Sequence, residues 1–432
     1  MADRPMAAIG RADVIQFHTL THFPPHNVNR DEDGRPKTCR LGEAVRGRIS
    51  SQAKKRALRF APHFPGGQRA IRTREAGLLC FRRLLDAGID TVSAAWAALA
   101  VNMAAGGGTG APKRSDAERL AAPDPAKPSS QAREKAIAAL MGRYEIDRPT
   151  AELRWLEREL GTEQALIIST RELSRIDDGV AMLIAARRDD PEGFPAILDH
   201  WVKTICRDKL LVRADHDLDT ALFGRMVAAD PGFNVEAACA VSHAFTTHAF
   251  VTEGDYFSAG EELNVLQGTG AAITSYAFFG GGVYYQHAVL DRGHLRDTLS
   301  AGRSADDAER LTQEAVVVFL DGLVYAQPKG KRCSFASDVA ASFLLTSRGS
   351  DPALNLGLAY LRPVTADDGP DLMLSSIGRL RETHRTVVAA YGLTNRVCIF
   401  NGYGPARTGN APTPPEVWTV EELRRFVQEP AA

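Results

Sequence analysis

Metal-type cysteine spacing is missing from this chain. Its six cysteines, Cys39, Cys80, Cys206, Cys239, Cys333 and Cys398, form no CxxC and no Cys/His pair at zinc spacing. Reduced thiols in a cytosol are therefore expected. No apolar run reaches the roughly 18–20 residues that a membrane span needs, so no membrane partner is expected. The opening residues, MADRPMAAIGRADV, lack a long apolar core, and no signal peptide is expected. There is no GxxxxGK[ST] phosphate loop and no internal repeat. The GxG at 268–270 is too generic to stand in for that loop, and Gly280-Gly281-Gly282 before Val283-Tyr284-Tyr285 suits a bulge or a close backbone approach. No cofactor is expected. Charge excess is missing too: 52 Lys and Arg against 53 Asp and Glu leave a net charge of −1 over 432 residues. Neutrality does not argue against nucleic acid, because phosphate contacts are local.

What is present is a concentration of positive charge. From 34 to 59 the basic residues are Arg35, Lys37, Arg40, Arg46, Arg48, Lys54, Lys55, Arg56 and Arg59, opposed only by Glu43, a local +8. Alternation over 13–20 predicts a strand, which Pro24-Pro25 should end. A polar loop follows, with turn signals at Asp33-Gly34 and Arg35-Pro36. Ser50-Ser51-Gln52 then predicts an N-cap for a helix over 52–60. The positive end of that helix suits a phosphate, with Lys55, Arg56 and Arg59 on one broad side.

Residues 61–207 read as a mostly helical lobe. It is interrupted at about 104–131 by a stretch rich in Gly, Pro, Ser and Ala that predicts a mobile loop or linker. Helices are expected near 131–142, 149–160, 170–188 and 193–207. After Val212 the texture predicts strands at 218–228, 235–250 and 275–290, with a long hairpin at about 245–280. Helices are expected over 305–324, 371–391 and from Thr419, and strands over 334–345, 356–360 and 397–400. The expected class is α+β, compatible with a split βαβ, ferredoxin-like core carrying insertions.

Several constellations have bland readings. His18, His22 and His26 are four apart, but Pro24 and Pro25 exclude a continuous helix, so strand and loop histidines are expected, not a metal site. Asp31, Glu32 and Asp33 could hold Mg²⁺, or form a solvated turn. The basic patch could be a solvated face. A second basic knot, Lys329, Lys331 and Arg332 around Gly330, favours a groove that tracks a nucleic-acid backbone. Tyr256 and Phe257 suit stacking on bases or packing of the hairpin root. Met226, after Arg225, suits a core filler or a wedge.

The segments NRDEDGRPKTC and RISSQAKKRALR, then LDTALFGRM, VEAACAVSHAFTTHAF with DYFSAGEEL, GGGVYYQHA and NGYG, in this order, closely resemble the CasC family. This is the backbone subunit of the type I-E CRISPR Cascade complex, within the RAMP superfamily. The resemblance covers about 10–60 and 212–404. It implies an RRM-like (ferredoxin-like) palm over 10–60 and 208–432, a helical fingers insertion over 61–207 and a thumb β-hairpin. It implies copies that polymerise along CRISPR RNA with other Cascade subunits, presenting guide segments to target DNA, without catalysis. Guide contacts would fall on Arg30, Arg48, Ser50, Ser51, Gln52, Lys55, Arg56 and Arg59, with Arg46 at a position where the family is basic. Arg225 is a further expected RNA contact, and Met226 beside it matches the base-wedging position. Related type III backbones cut target RNA through a loop aspartate; in that alternative Asp31 or Asp33 would act. A stand-alone RNA-binding protein is the plainer alternative.

Overall fold

The computed structural model describes residues 13–106, 108, 110–121, 128–207, 210–260, 271–404 and 415–429. They divide into two compact units, one formed within Met1–Pro65, Ala238–Ser300 and Ser304–Ala432, the other within Gly66–Ala237 and Ala301–Arg303. The chain is mixed α and β, and its main sheet is mostly antiparallel. Among the described residues no helix is long and apolar enough to cross a membrane.

The first unit is built on that sheet. Its strand order is Glu416–Val417, Arg396–Asn401, Phe343–Gly349, Val14–His26, Ala271–Asp291, Ala244–Thr246, Ala44–Ile49 and Thr38–Leu41. Both faces of Val14–His26 are covered. Phe17 meets Phe319 of the helix Ala305–Tyr325, ring centroids 5.9 Å apart. Leu20 joins Tyr285, Phe343, Tyr360 and Leu380 in a second cluster, with the helix Leu372–Tyr391. The prolines do not end the strand. It runs through them to His26 with a register shift between Phe23 and His26, opposite Gly282 and Gly280. A proline has no N–H for the ladder, and the bulge absorbs the missing donors. Gly282 has φ of +143°, and a Cβ there would stand 2.0 Å from His248.

His18, His26 and His287 are buried in this sheet, and His22 is exposed. The Tyr285 hydroxyl donates to Asn355 Oδ1 (3.2 Å), so it accepts from His18 Nδ1 (3.0 Å), which fixes the His18 tautomer. His18 also stacks on His287 at 4.7 Å. Burial, then the neighbouring His287 and His384, holds His18 well below the usual imidazole range, and burial lowers His26 and His287 to about 4. These rings are neutral when folded and bind protons more readily when unfolded. Stability is therefore complete above about pH 6.5 and is lost as pH falls toward 4, by roughly 3 kcal/mol for a ring lowered by that much. Thermal midpoints measured from pH 8 to 4 should be flat at first and fall steeply below 6.5.

Four expected strands have a different form. The segment 218–228 starts as a helix, Leu218–Phe223, because Asp217 caps it by accepting from the Thr220 N–H at 2.8 Å. The stretch 235–250 holds two short strands, Cys239–Val241 and Ala244–Thr246. The segment 334–345 is a short helix, Arg332–Phe335, followed by the strand Phe343–Gly349, and 356–360 is a 3₁₀ turn capped by Asn355.

The second unit is largely helical. Helices occupy Pro128–Tyr144, Arg148–Glu159, Thr170–Asp189 and Phe194–Arg207, close to the spans expected. Its core gathers Phe81, Trp96, Trp155, Val180, Leu198 and Trp201. Part of the expected linker is structured: Arg114–Ala121 is helical, Ala117 is fully buried, and Trp96 Nε1 donates to the Pro112 carbonyl at 2.8 Å. The unit extends past 207 to 237, so Met226 belongs to it.

Candidate nucleic-acid interface

The hairpin Thr38–Leu41 and Ala44–Ile49 feeds directly into the helix Ser51–Arg59. Ser50 caps that helix by accepting from the Ala53 N–H at 3.3 Å. The Ser50 N–H donates to Asn29 Oδ1 at 2.8 Å, which ties the preceding loop to the cap. The Ser51 N–H donates to His243 Nδ1 at 3.0 Å, so His243 lends a lone pair to the first turn. Burial, then Arg48 and Lys37 nearby, lowers the His243 pKa, consistent with that acceptor role. Gln52 and Arg56 are exposed, and Ser51 and Lys55 half-buried. Lys54, Leu58 and Arg59 point inward.

The loop before the hairpin is closed by its own turn. The Arg35 N–H donates to Asp31 Oδ1 at 2.8 Å, and Gly34 has φ of +80°. Asn27 Nδ2 reaches the carbonyls of Gly34 (2.9 Å) and Phe278 (2.6 Å). Arg30 is exposed at the foot of this loop. The second basic loop packs onto the first: a Cβ on Gly330 would stand 2.5 Å from the Val28 carbonyl oxygen, so only glycine allows this approach. Lys329 and Lys331 are exposed beside it, and Arg332 pairs with Asp338 at 2.7 Å. Among the described residues no carboxylate pairs with Arg30, Arg48, Lys55, Arg56, Lys329 or Lys331. The arrangement offers unneutralised cations from three segments, next to a capped helix start.

Two arginines expected at RNA are structural instead. Arg46 is fully buried, and its guanidinium donates to the carbonyls of Thr246 (3.1 Å) and Tyr360 (2.7 Å). Arg225, 3% exposed, donates to Glu172 (2.7 Å) and to the carbonyls of Val212 (2.8 Å) and Phe233 (3.1 Å). Arg59, 5% exposed, does not share the exposed side with Lys55 and Arg56, and its guanidinium lies 5.7 Å from the Phe60 ring. Met226, in the second unit, is 75% exposed, which excludes the core-filler reading.

The hairpin pairs Glu253–Gly260 with Ala271–Asp291. Tyr256 and Phe257 are exposed, and Tyr256 meets Tyr276 edge-on at 5.3 Å. They are therefore not packed at the hairpin root. Residues 261–270, with the GxG, lie outside the described residues.

The profile of a family described as CT1975-like protein matches residues 15–417. The chain belongs to that family. This agrees with the resemblance to the CasC backbone family carried by the sequence motifs. Among solved structures, one similar chain is described as "CRISPR RNA-guided surveillance complex, pre-nicking". It has a TM-score of 0.68 at 19% identity, over 96% of this chain and 99% of that one. A second, described as "CRISPR RNA-guided surveillance complex", has a TM-score of 0.52 at 15% identity, over 96% and 98%. Both are likenesses of fold. Among curated proteins none matches.

Sequence reasoning about this CT1975-like chain missed Asn29 and His243, which organise the cap from 21 and 192 residues away. No local pattern signals such partners. It also counted Lys54 with the surface charge, although Lys54 is 3% exposed and burial lowers its pKa to about 7. The position of Lys54 three residues before Ala57 and four before Leu58, on the apolar stripe, was the available signal.

Proposed function

We propose that this chain is a non-catalytic, RNA-binding backbone subunit of a type I-E-like CRISPR surveillance complex. Copies of it line up along CRISPR RNA beside other Cascade subunits and leave guide segments free to pair with target DNA. In this reading the first unit is an RRM-like palm, the second is the fingers, and the hairpin is a thumb. The observation that carries the reading is the set of unneutralised cations on the Arg30 loop, the capped helix and the Gly330 loop. Such a face holds phosphates without reading bases, as a subunit serving any guide sequence must. Sequence discrimination then falls to base pairing. Low net charge suits a polymer, since strongly basic copies would repel one another.

Co-expression with a CRISPR transcript, followed by sizing, tests this. The expected product is a large ribonucleoprotein whose mass rises in fixed steps with transcript length and collapses on ribonuclease treatment. A single protein copy per RNA at every length would sink the backbone reading in favour of a stand-alone module. Periodic cutting of complementary RNA with Mg²⁺, abolished by Asp31→Ala, would overturn the non-catalytic assignment.

A further inference from the structure

Beside the capped helix, the segment 325–330 bounds a cleft of about 480 Å³. Phe60 and Tyr325 line it, each 50% exposed, together with the cations Arg56 and Lys329. Among the described residues no carboxylate lines it. The Arg56 guanidinium lies over the Phe60 ring at 4.7 Å. Gln327, 6% exposed, also lines the cleft. Its Oε1 accepts from the buried Lys54 Nζ at 2.5 Å, which leaves Nε2 as the other end of the amide. Gln327 Nε2 is then a buried donor with no partner among the described residues, and His63 Nε2, on the same cleft, is likewise buried and unpaired. Leaving such groups unmet is costly, so a ligand that supplies edge acceptors is favoured.

Two aromatic rings line the cleft, the lining holds unpaired polar atoms, and the charge is positive. A nucleobase on a phosphodiester strand meets all three demands: a stacking face, edge acceptors and an anion. An aromatic side chain of a protein partner brings the face but neither the edge acceptors nor the charge. We propose that the cleft is a base pocket that takes one unpaired base of the bound single-stranded RNA, stacked against Phe60 and Tyr325 and held at its edge by Gln327. This rests on the RNA-binding reading above.

The full-length protein is tested with single-stranded RNA carrying 4-thiouridine, irradiated and mapped by mass spectrometry. Affinity is measured in parallel for wild type, Tyr325→Ala and Gln327→Leu, on normal RNA and on RNA with abasic positions. Crosslinks are expected within 60–63 or 325–330. Tyr325→Ala should weaken binding about tenfold with an unchanged salt slope. Abasic RNA should lower wild-type affinity to the level of that variant and weaken the variant no further. Because Tyr325 is half exposed, its truncation should leave circular dichroism unchanged. Wild-type affinity in both variants, with no crosslink in the cleft, overturns the pocket and leaves the phosphate-binding face standing. Binding of no RNA by any form overturns the functional reading, and the pocket with it.

Discussion

An Arg225→Ala chain is expected to lose about 3–5 kcal/mol of stability, because the change leaves the Glu172 carboxylate buried without its cation. Both side chains are almost fully enclosed, at 1% and 0% exposure, and their ion pair is 2.7 Å long. Each side chain also bonds elsewhere in the unit. Glu172 accepts from the N–H groups of Ser169 (2.7 Å) and Val212 (2.8 Å), and Arg225 donates to Val212 and Phe233. The backbone of Arg225 pairs with Val235, and the Val227 N–H donates to Asn234 Oδ1 at 2.6 Å. Met226 is thus presented to solvent by a loop anchored on both sides. Urea unfolding followed by tryptophan fluorescence reports on this unit, which contains Trp96, Trp155 and Trp201. The transition should shift markedly in Arg225→Ala and stay in place in Arg188→Ala, whose partner Asp189 is at the surface. Superimposable curves for Arg225→Ala and wild type would remove the ion pair from any account of this fold.

The features legible in the sequence were those set by neighbours along the chain. Ser50 ahead of a helical run, the glycine run before Val283, the helix start at Thr419 and the helical stretch 305–324 all reappear as cap, bulge, capped helix start and buried helix. Local pattern failed where a distant partner decides the outcome. Arg46 reads as surface charge within a +8 stretch, yet the carbonyls of Thr246 and Tyr360, 200 and 314 residues away, make it a core residue. Arg225 reads as a cation beside a wedge, and only Glu172 reveals it as a buried support. The helix Leu218–Phe223 reads as a strand because 218–228 carries alternation with β-branched and aromatic residues, while the fold buries all six helical residues. The same limit applies to the site: the cation types were visible, but not which of them the fold consumes.

That distinction carries the second large effect. Lys55→Ala with Arg56→Ala should weaken binding to single-stranded RNA roughly 25-fold at 0.1 M salt and reduce the slope of log affinity against log salt by about 1.4, the share of two phosphate contacts. Both residues reach solvent from the outer side of the capped helix, and no carboxylate among the described residues competes for them. Lys54, the neighbour in sequence, supplies the control. Its Nζ is spent on Gln327 inside the protein, so Lys54→Met removes one basic group, against two in the double variant, without removing a contact to phosphate. Arg46→Met is a second control, with its donors spent on backbone carbonyls. Both controls should lower stability while leaving the salt slope at its wild-type value. Equal slopes for the Lys55, Arg56 double variant and wild type would place the RNA elsewhere. A reduced slope in Lys54→Met would mean that net charge, not the exposed face of the helix, governs binding.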